Sequence, residues 1–348
     1  MRRFAHFVRP WLPSHRCRSS FSGSTKMIRR FILKFAAAFL ALFAAGGAAC
    51  ADDYPSRPIT LVAPFPPGGA LDLIARALAQ KLQEQWGQTV VVDNRSGAAG
   101  IIGTTQVARS APDGYTILLG ATTTHGINPS LYKSLQYDAV ADFEPVSLVA
   151  TIPHLLVVNP GLPVHTFGDF VKLAKEKTLP FGSAGIGSPH HLAGEMLKSQ
   201  LHLNLQHIPY KGSAPAMTAV MSGETAFMSV EVTAASQYIK AGKMRPIAVA
   251  AAKRLPTIDV PTFAEVGLPG FEVTAWYAIF APKGTPRPIV DKLSQALAKA
   301  VHAKDVQTRF ASLDATPVGS TPDELRRYVD SEIKRWAQAV KAANVSMD

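Results

Sequence analysis

Ile59-Thr-Leu-Val-Ala-Pro-Phe-Pro-Pro-Gly-Gly-Ala-Leu-Asp-Leu-Ile-Ala-Arg76 joins an apolar run to a Pro/Gly elbow and then to the start of an amphipathic helix. The run before Pro64 reads as a strand. After Gly69 the residues Leu71, Ile74, Ala75, Leu78 and Leu82 recur at helical spacing, and Gly87 follows as a C-terminal cap. The first backbone N–H groups of such a helix have no partner inside it. Together with the positive end of the helix dipole they offer a cradle for a carboxylate or phosphate.

Outward from this stretch the same rhythm continues, apolar runs alternating with helical patterns, which argues for an α/β architecture with mostly parallel sheets. Residues 89–92 read as a strand, about 101–110 as a helix, 115–119 as a strand, and 122–129 as a polar loop. Two long extended segments, 143–159 and 271–282, lie more than a hundred residues apart. They are expected to carry the chain between two lobes, 52–150 plus 277–348 and an inserted 151–276, because about 300 residues exceeds one comfortable core. Helices are expected over 288–302 and 322–342, the second with Thr321 as N-cap, Pro322 at N1 and Glu324 at N3.

The strongly basic composition, 36 Lys and Arg against 25 Asp and Glu, is misleading. Nine of the basic residues and no acidic one lie in residues 1–51, which leaves 27 basic against 25 acidic in the remaining 297. Ile28-Arg-Arg-Phe-Ile-Leu-Lys34 and the apolar run 35–45 have the n- and h-regions of a secretory signal, with Ala49-Cys-Ala51 as its cleavage site. Translation is expected to start at Met27, cleavage to follow Ala51, and the product to reside in the periplasm. The run is shorter than a membrane anchor of about 20 residues, and Gly47-Ala-Ala-Cys50 lacks the aliphatic residue of a lipoprotein signal. Both cysteines, Cys17 and Cys50, fall in this leader, so disulfides, thiolate chemistry and Cys-ligated zinc are not expected beyond it. A near-neutral remainder also lacks the basic field that binds nucleic acid.

Two further elbows repeat the opening device. Leu179-Pro-Phe-Gly-Ser-Ala-Gly-Ile-Gly-Ser-Pro-His-His-Leu192 is a strand, a Gly/Ser loop and a helix start, with Ser188 as N-cap and Pro189 at N1. His207-Ile-Pro-Tyr-Lys-Gly-Ser-Ala-Pro215 adds Lys211 beside another helix start. Each elbow alone is compatible with a purely structural turn. Converging on one cleft, they would hold a carboxylate by backbone donors.

Tyr54-Pro-x-Arg-Pro-Ile, Pro64-Phe-Pro-Pro-Gly-Gly-x-x-Asp72, Val91-Val-Asp-Asn-Arg-x-Gly-Ala, Pro112-Asp-Gly-Tyr-Thr116, His125-x-x-Asn-Pro-Ser-Leu-Tyr132, Gly182-Ser-Ala-Gly-x-Gly-Ser188, Pro209-Tyr-Lys-Gly212 and Lys240-Ala-Gly-Lys243 occur in that order. Together they resemble the extracytoplasmic solute receptors of tripartite tricarboxylate transporters, the Bug or TctC-like family. The resemblance implies a type II periplasmic-binding-protein fold, two α/β lobes joined by crossing strands and closing on a small organic acid for delivery to membrane permease subunits. It further implies that loops 64–72 and 181–191 grip the carboxylate, partly through ordered waters. On this chain the implied contacts are Phe65, Pro67, Gly68, Gly69 and Asp72 from the first loop and Ser183, Ala184, Gly187, Ser188 and His191 from the second. Thr123, His125 and Asn128 are implied at the side.

Several of these residues have two readings. Asp72, in a helix's first turn, either satisfies backbone N–H groups or meets an ammonium or hydroxyl on the ligand. His125 is a packed loop residue or a donor, and Lys211 attracts anions or caps a solvated rim. The i, i+4 pair His191 and Glu195 permits metal binding but has no evident third ligand. Gly69 and Gly187 are both expected to serve the ligand more than the fold. One departure from the family pattern concerns Phe227-Met-Ser-Val-Glu-Val232, where an Asp at about Val230 is usual; Glu231 lies one position on, which in a strand turns it to the opposite face.

No cofactor signature, Gly-x-Ser-x-Gly elbow or His-Glu-x-x-His is present, so a secreted hydrolase is the remote alternative to a non-enzymatic receptor. A ligand sensor signalling to a membrane sensor kinase is the nearer one, because lobe closure serves either partner.

Overall fold

The computed structural model describes residues 54–347, and these fall in one compact unit. The leader, its cleavage site and the expected start at Met27 lie outside the described residues. The opening stretch forms β1 (Ile59–Ala63) and α1 (Ala70–Trp86), closed by Gly87 in the left-handed conformation as its spacing predicts. Then follow β2 (Val90–Asn94), α2 (Ile101–Ala108) and β3 (Thr116–Ala121). The segment read as a polar loop is instead wound, Thr122–Ile127 as a π-helical turn running into the short α3 (Asn128–Leu131). The hydroxyl of Thr124 supplies the reason. It accepts from the Ala121 N–H and donates to the Ala121 carbonyl, replacing ladder partners that the chain has just left.

The long strand β4 (Phe143–Val158) leads to α4 (Phe167–Glu176), β5 (Leu179–Ser183), α5 (Pro189–Leu201), β6 (Leu205–Pro209), α6 (Ser213–Ser222) and β7 (Phe227–Glu231). After β7 come α7 (Val232–Lys240), β8 (Arg245–Val249), β9 (Thr274–Pro282), α8 (Arg287–Val301), α9 (Lys304–Ser312), β10 (Thr316–Pro317) and α10 (Pro322–Ala343). The sequence patterns did not reveal α7, whose first residue Val232 reads as a continuation of β7, nor the short α9.

Hydrogen-bonded neighbours run β2-β1-β3-β9-β4-β7-β5-β6, with β8 and β10 also on β4. The β1–β2, β1–β3, β5–β6 and β5–β7 pairs are parallel, while β9 and β4 run antiparallel to their neighbours. Strand β4 exchanges partners midway. Up to Pro153 it pairs with β9, and from His154 on with β7 and β8. This strand, about 50 Å long at 3.3 Å per residue, therefore belongs to both halves of the sheet.

Each half buries both of its faces. In the first, Leu61, Ile117 and Ile279 pack with Ile74 and Leu78 of α1 and Leu293 of α8, and on the reverse Val62, Leu118 and Phe280 pack with Leu325 and Val329 of α10. In the second, Phe181 and Phe227 meet Phe170 and Leu192, while Val157 and Val230 meet Val220 and Met217 on the other face. Continuous apolar strands are what a sheet covered on both sides requires.

Helix α10 touches both halves, since Trp336, Ala339 and Val340 at its far end join the second core. Between its two contacts lies Glu332, 1% exposed, whose Oε2 accepts from the indole N–H groups of Trp276 (2.8 Å) and Trp336 (3.0 Å), and which is ion-paired with Arg335.

Candidate functional site

At the first elbow Gly69 is the N-cap of α1, and no side chain caps the helix. The first bond of the helix runs from Leu73 N–H to the Gly69 carbonyl, so the amides of Ala70, Leu71 and Asp72 have no partner inside it. The carboxylate that could have capped them is engaged elsewhere. Asp72, 3% exposed, accepts from Gly68 N–H (2.9 Å), Asn94 Nδ2 (3.1 Å) and Arg76 Nε (3.0 Å). Burial alone would raise its pKa, but the bonds from Arg76, Gly68 and Asn94 outweigh it and hold the carboxyl below its ordinary value. Of its two readings, the structure favours the satisfaction of backbone donors. Asn94 also donates to the Phe65 carbonyl (3.2 Å), so the end of β2 braces the elbow.

The second elbow is more fully self-bonded. Ser188 caps α5 by accepting from His191 N–H (3.3 Å), and its hydroxyl donates to the Gly185 carbonyl (2.7 Å). Gly187 N–H donates to His191 Nδ1 (3.1 Å), and the His191 ring stacks on His207 with centroids 3.7 Å apart. His207 Nε2 lies 2.6 Å from Ser183 Oγ. Burial pushes both imidazoles down to about 4. Gly187 has φ +75°, and a Cβ there would stand 2.3 Å from Leu131 Cδ2.

Both elbows open on one cavity of about 640 Å³, within the range of small-molecule sites. Phe65, Pro66 and Gly68 to Leu71 line it from the first half, and Ala184, Ile186 to His190, Ser213 and Glu231 from the second. Thr122, Thr123, Asn128 and the β9 residues Ala275, Trp276 and Tyr277 also contribute to the wall. No Lys or Arg lines it among the described residues.

Of the residues singled out from sequence, Phe65, Gly68, Gly69, Thr123, Asn128, Ala184, Gly187 and Ser188 are brought together on this wall. The others are not among the lining residues. Pro67 is exposed beside the elbow, and Lys211 is exposed between β6 and α6, although its neighbour Ser213 reaches the cavity. Asp72, Ser183 and His191 lie behind the loops and shape them. His125 is wholly buried, stacked on Phe280 at 3.9 Å with Nδ1 2.9 Å from Thr124 Oγ1, and burial pushes its pKa down to about 3. Asn128 holds the Ala99 carbonyl and the Tyr137 hydroxyl through Nδ2, leaving Oδ1 buried without a partner.

Several wall residues are not singled out by the sequence, among them His190. Glu231 faces away from Val230, as its place in the strand implies, yet that face is the one that opens on the cavity. Glu231 is the last residue of β7 and has φ −57° as the N-cap of α7. It lies on the face shared by Phe227 and Ser229, opposite Val230, as strand alternation predicts, and from that face its carboxylate reaches the cavity and accepts from His190 Nε2 at 3.0 Å. No local pattern could have shown this, because the two residues come from separate elements 41 positions apart.

The Ser183–His207 contact does not make a nucleophile of Ser183. It is fully buried, accepts from Gly185 N–H (3.1 Å) and is absent from the cavity wall. What the site offers is a concave wall of helix-terminal amides, hydroxyls and aromatic faces.

Two α/β halves linked by long antiparallel strands, with helix N-termini facing a shared cleft, define a small-molecule-binding protein of the two-lobed receptor class. Residues 74–345 match the family described as "Tripartite tricarboxylate transporter family receptor", and the chain belongs to that family, the TctC or Bug receptors. Protein BugT of Bordetella pertussis is 38% identical, the match covering 89% of this chain and 96% of BugT. A protein encoded in the tcbD-tcbE intergenic region of Pseudomonas sp. strain P51 is 42% identical over 83% of this chain and 87% of its own length. Among solved structures, R. palustris Rpa4515 with adipate superposes with a TM-score of 0.76 at 37% identity, covering 84% of this chain and 99% of that one. MatC from Rhodopseudomonas palustris with bound malate gives 0.70 at 35% identity, covering 82% and 100%. These likenesses make the fold that of type II periplasmic binding proteins and the chain a solute-binding receptor.

Proposed function

We propose that this receptor works in the periplasm, where it captures a small organic carboxylate in the cleft between its two lobes and hands it to the membrane permease subunits of a tripartite tricarboxylate-type transporter, without transforming it. The observation that carries this reading is the uncapped N-terminus of α1, facing the second elbow across a cavity of about 640 Å³ that, among the described residues, has no lysine or arginine on its wall. An anion bound there is neutralised by oriented amides and the helix dipole, at little desolvation cost to the protein. Relatives holding adipate and malate support the ligand class. The secretory pattern of residues 28–51 supports the compartment. Strands β4 and β9, which cross between the lobes, are the expected hinge, with lobe boundaries near 150 and 277.

A thermal-shift screen of mono- and dicarboxylates, aromatic acids and amino acids tests it. A ligand at about 100 times its Kd stabilises the native state by about 2.7 kcal/mol, which for a folded chain of about 300 residues is a rise of roughly 4 °C in Tm. Silence across all organic acids, with shifts only from sugars or metal cations, would sink the proposal.

A further inference from the structure

The carboxylate reading leaves one wall residue unaccounted for. Glu231 is the sole carboxylate on the wall of the cavity among the described residues, in a site meant for anions. Its side chain is 23% exposed, so it is not simply a core partner for His190. It stands at the end of β7 in the second half, whereas the uncapped helix α1 belongs to the first.

His190, on the same wall, spends Nε2 on Glu231 Oε2, and its Nδ1 is buried without a partner. His154 is fully buried, bonded through Nδ1 to Ser229 Oγ (3.1 Å), and its Nε2 lies 3.7 Å from Glu231 Oε1, beyond hydrogen-bond distance. Burial keeps His154 largely neutral by pushing it down to about 4. Tyr277, on the same wall, has its phenol pushed up by burial and by the charge of Glu231. A carboxylate has about four lone-pair sites, of which the His190 bond fills one.

We infer that Glu231 selects, among small carboxylates, those whose other end is a hydrogen-bond donor, a hydroxyl or an ammonium, and discriminates against dicarboxylates. This rests on the reading above that the elbow amides hold a carboxylate. With that end fixed, the remainder of the ligand faces an acceptor. A donor completes a charge-assisted bond, while a second carboxylate meets a like charge.

The test is calorimetric titration of the purified chain with matched acids of three to six carbons, each length supplied as the plain monocarboxylate, the ω-hydroxy acid, the ω-amino acid and the dicarboxylate. At the lengths that bind, the hydroxy or amino acid is expected to bind at least about tenfold more tightly than the dicarboxylate, as a charge-assisted bond allows. Glu231→Gln, which keeps an acceptor for His190, should narrow that ratio to about threefold or less by strengthening the dicarboxylate and weakening the amino acid. A wild-type preference for the dicarboxylate, or an unchanged ratio in the variant, overturns the inference and leaves carboxylate capture standing. Failure of every acid to bind overturns both. Should the variant melt early without ligand, the wild-type ratio still decides.

Discussion

Replacing Gly69 by leucine separates binding from folding at the first elbow. Gly69 has φ −81° and ψ 171°, a region open to any residue, and a Cβ built there meets nothing within 4 Å. The loss of glycine at an N-cap costs up to about 1 kcal/mol, and the reduced freedom of the unfolded chain returns about 0.4–1 kcal/mol. The unliganded protein should therefore melt within about 2 °C of wild type. Gly69 lines the cavity beside Ala70 and Leu71, so the same side chain is expected to crowd a ligand held by their amides. Losing two hydrogen bonds to a charged ligand at about 1.5–3 kcal/mol each should weaken Kd by 100-fold or more, at about 1.4 kcal/mol per tenfold. Calorimetry on the best acid from the screen reads the effect. Gly187→Ala is the contrast, because φ +75° and the approach to Leu131 Cδ2 penalise any Cβ. It should cost the unliganded fold about 2–4 kcal/mol, so the two glycines, alike in sequence, are not alike in role. An unchanged Kd in a well-folded Gly69→Leu variant would refute the claim that these amides hold the ligand.

Two predictions concern the frame. Glu332→Ala removes the acceptor shared by two buried indoles and the partner of Arg335, and should destabilise the protein by about 3 kcal/mol in denaturant unfolding, a loss under 1 kcal/mol being too small for this account. Acid should also destabilise it through His125, His154, His191 and His207, whose native pKa values are pushed below the ordinary 6.5 by burial, His125 to about 3 and the rest to about 4. The unfolded chain then binds more protons below pH 6.5, so their contribution is fully present above that pH and lost as pH falls toward 4. A melting temperature that holds steady from pH 7 to 4.5 would contradict it.

Much of the scaffold was legible in the chain because its signals are short-ranged. The helical spacing after Gly69, the Gly87 stop, the Ser188–Pro189 and Thr321–Pro322–Glu324 starts and the long apolar run of β4 all depend on residues within a turn or two of one another. So does the exposure of helix N-terminal amides at an elbow, which is why the site's location could be anticipated. What the sequence could not determine was which side chains meet there. Placing β9 between β3 and β4 brings together residues over a hundred positions apart, and placing β7 beside the second part of β4 joins others about seventy apart. That long-range packing buries His125 against Phe280, ties both indoles to Glu332, and lays α5 with His190 against the face of β7 that carries Glu231. Periodicity reports the face of an element, whereas the neighbour that a side chain on that face finds follows only from how the elements are packed.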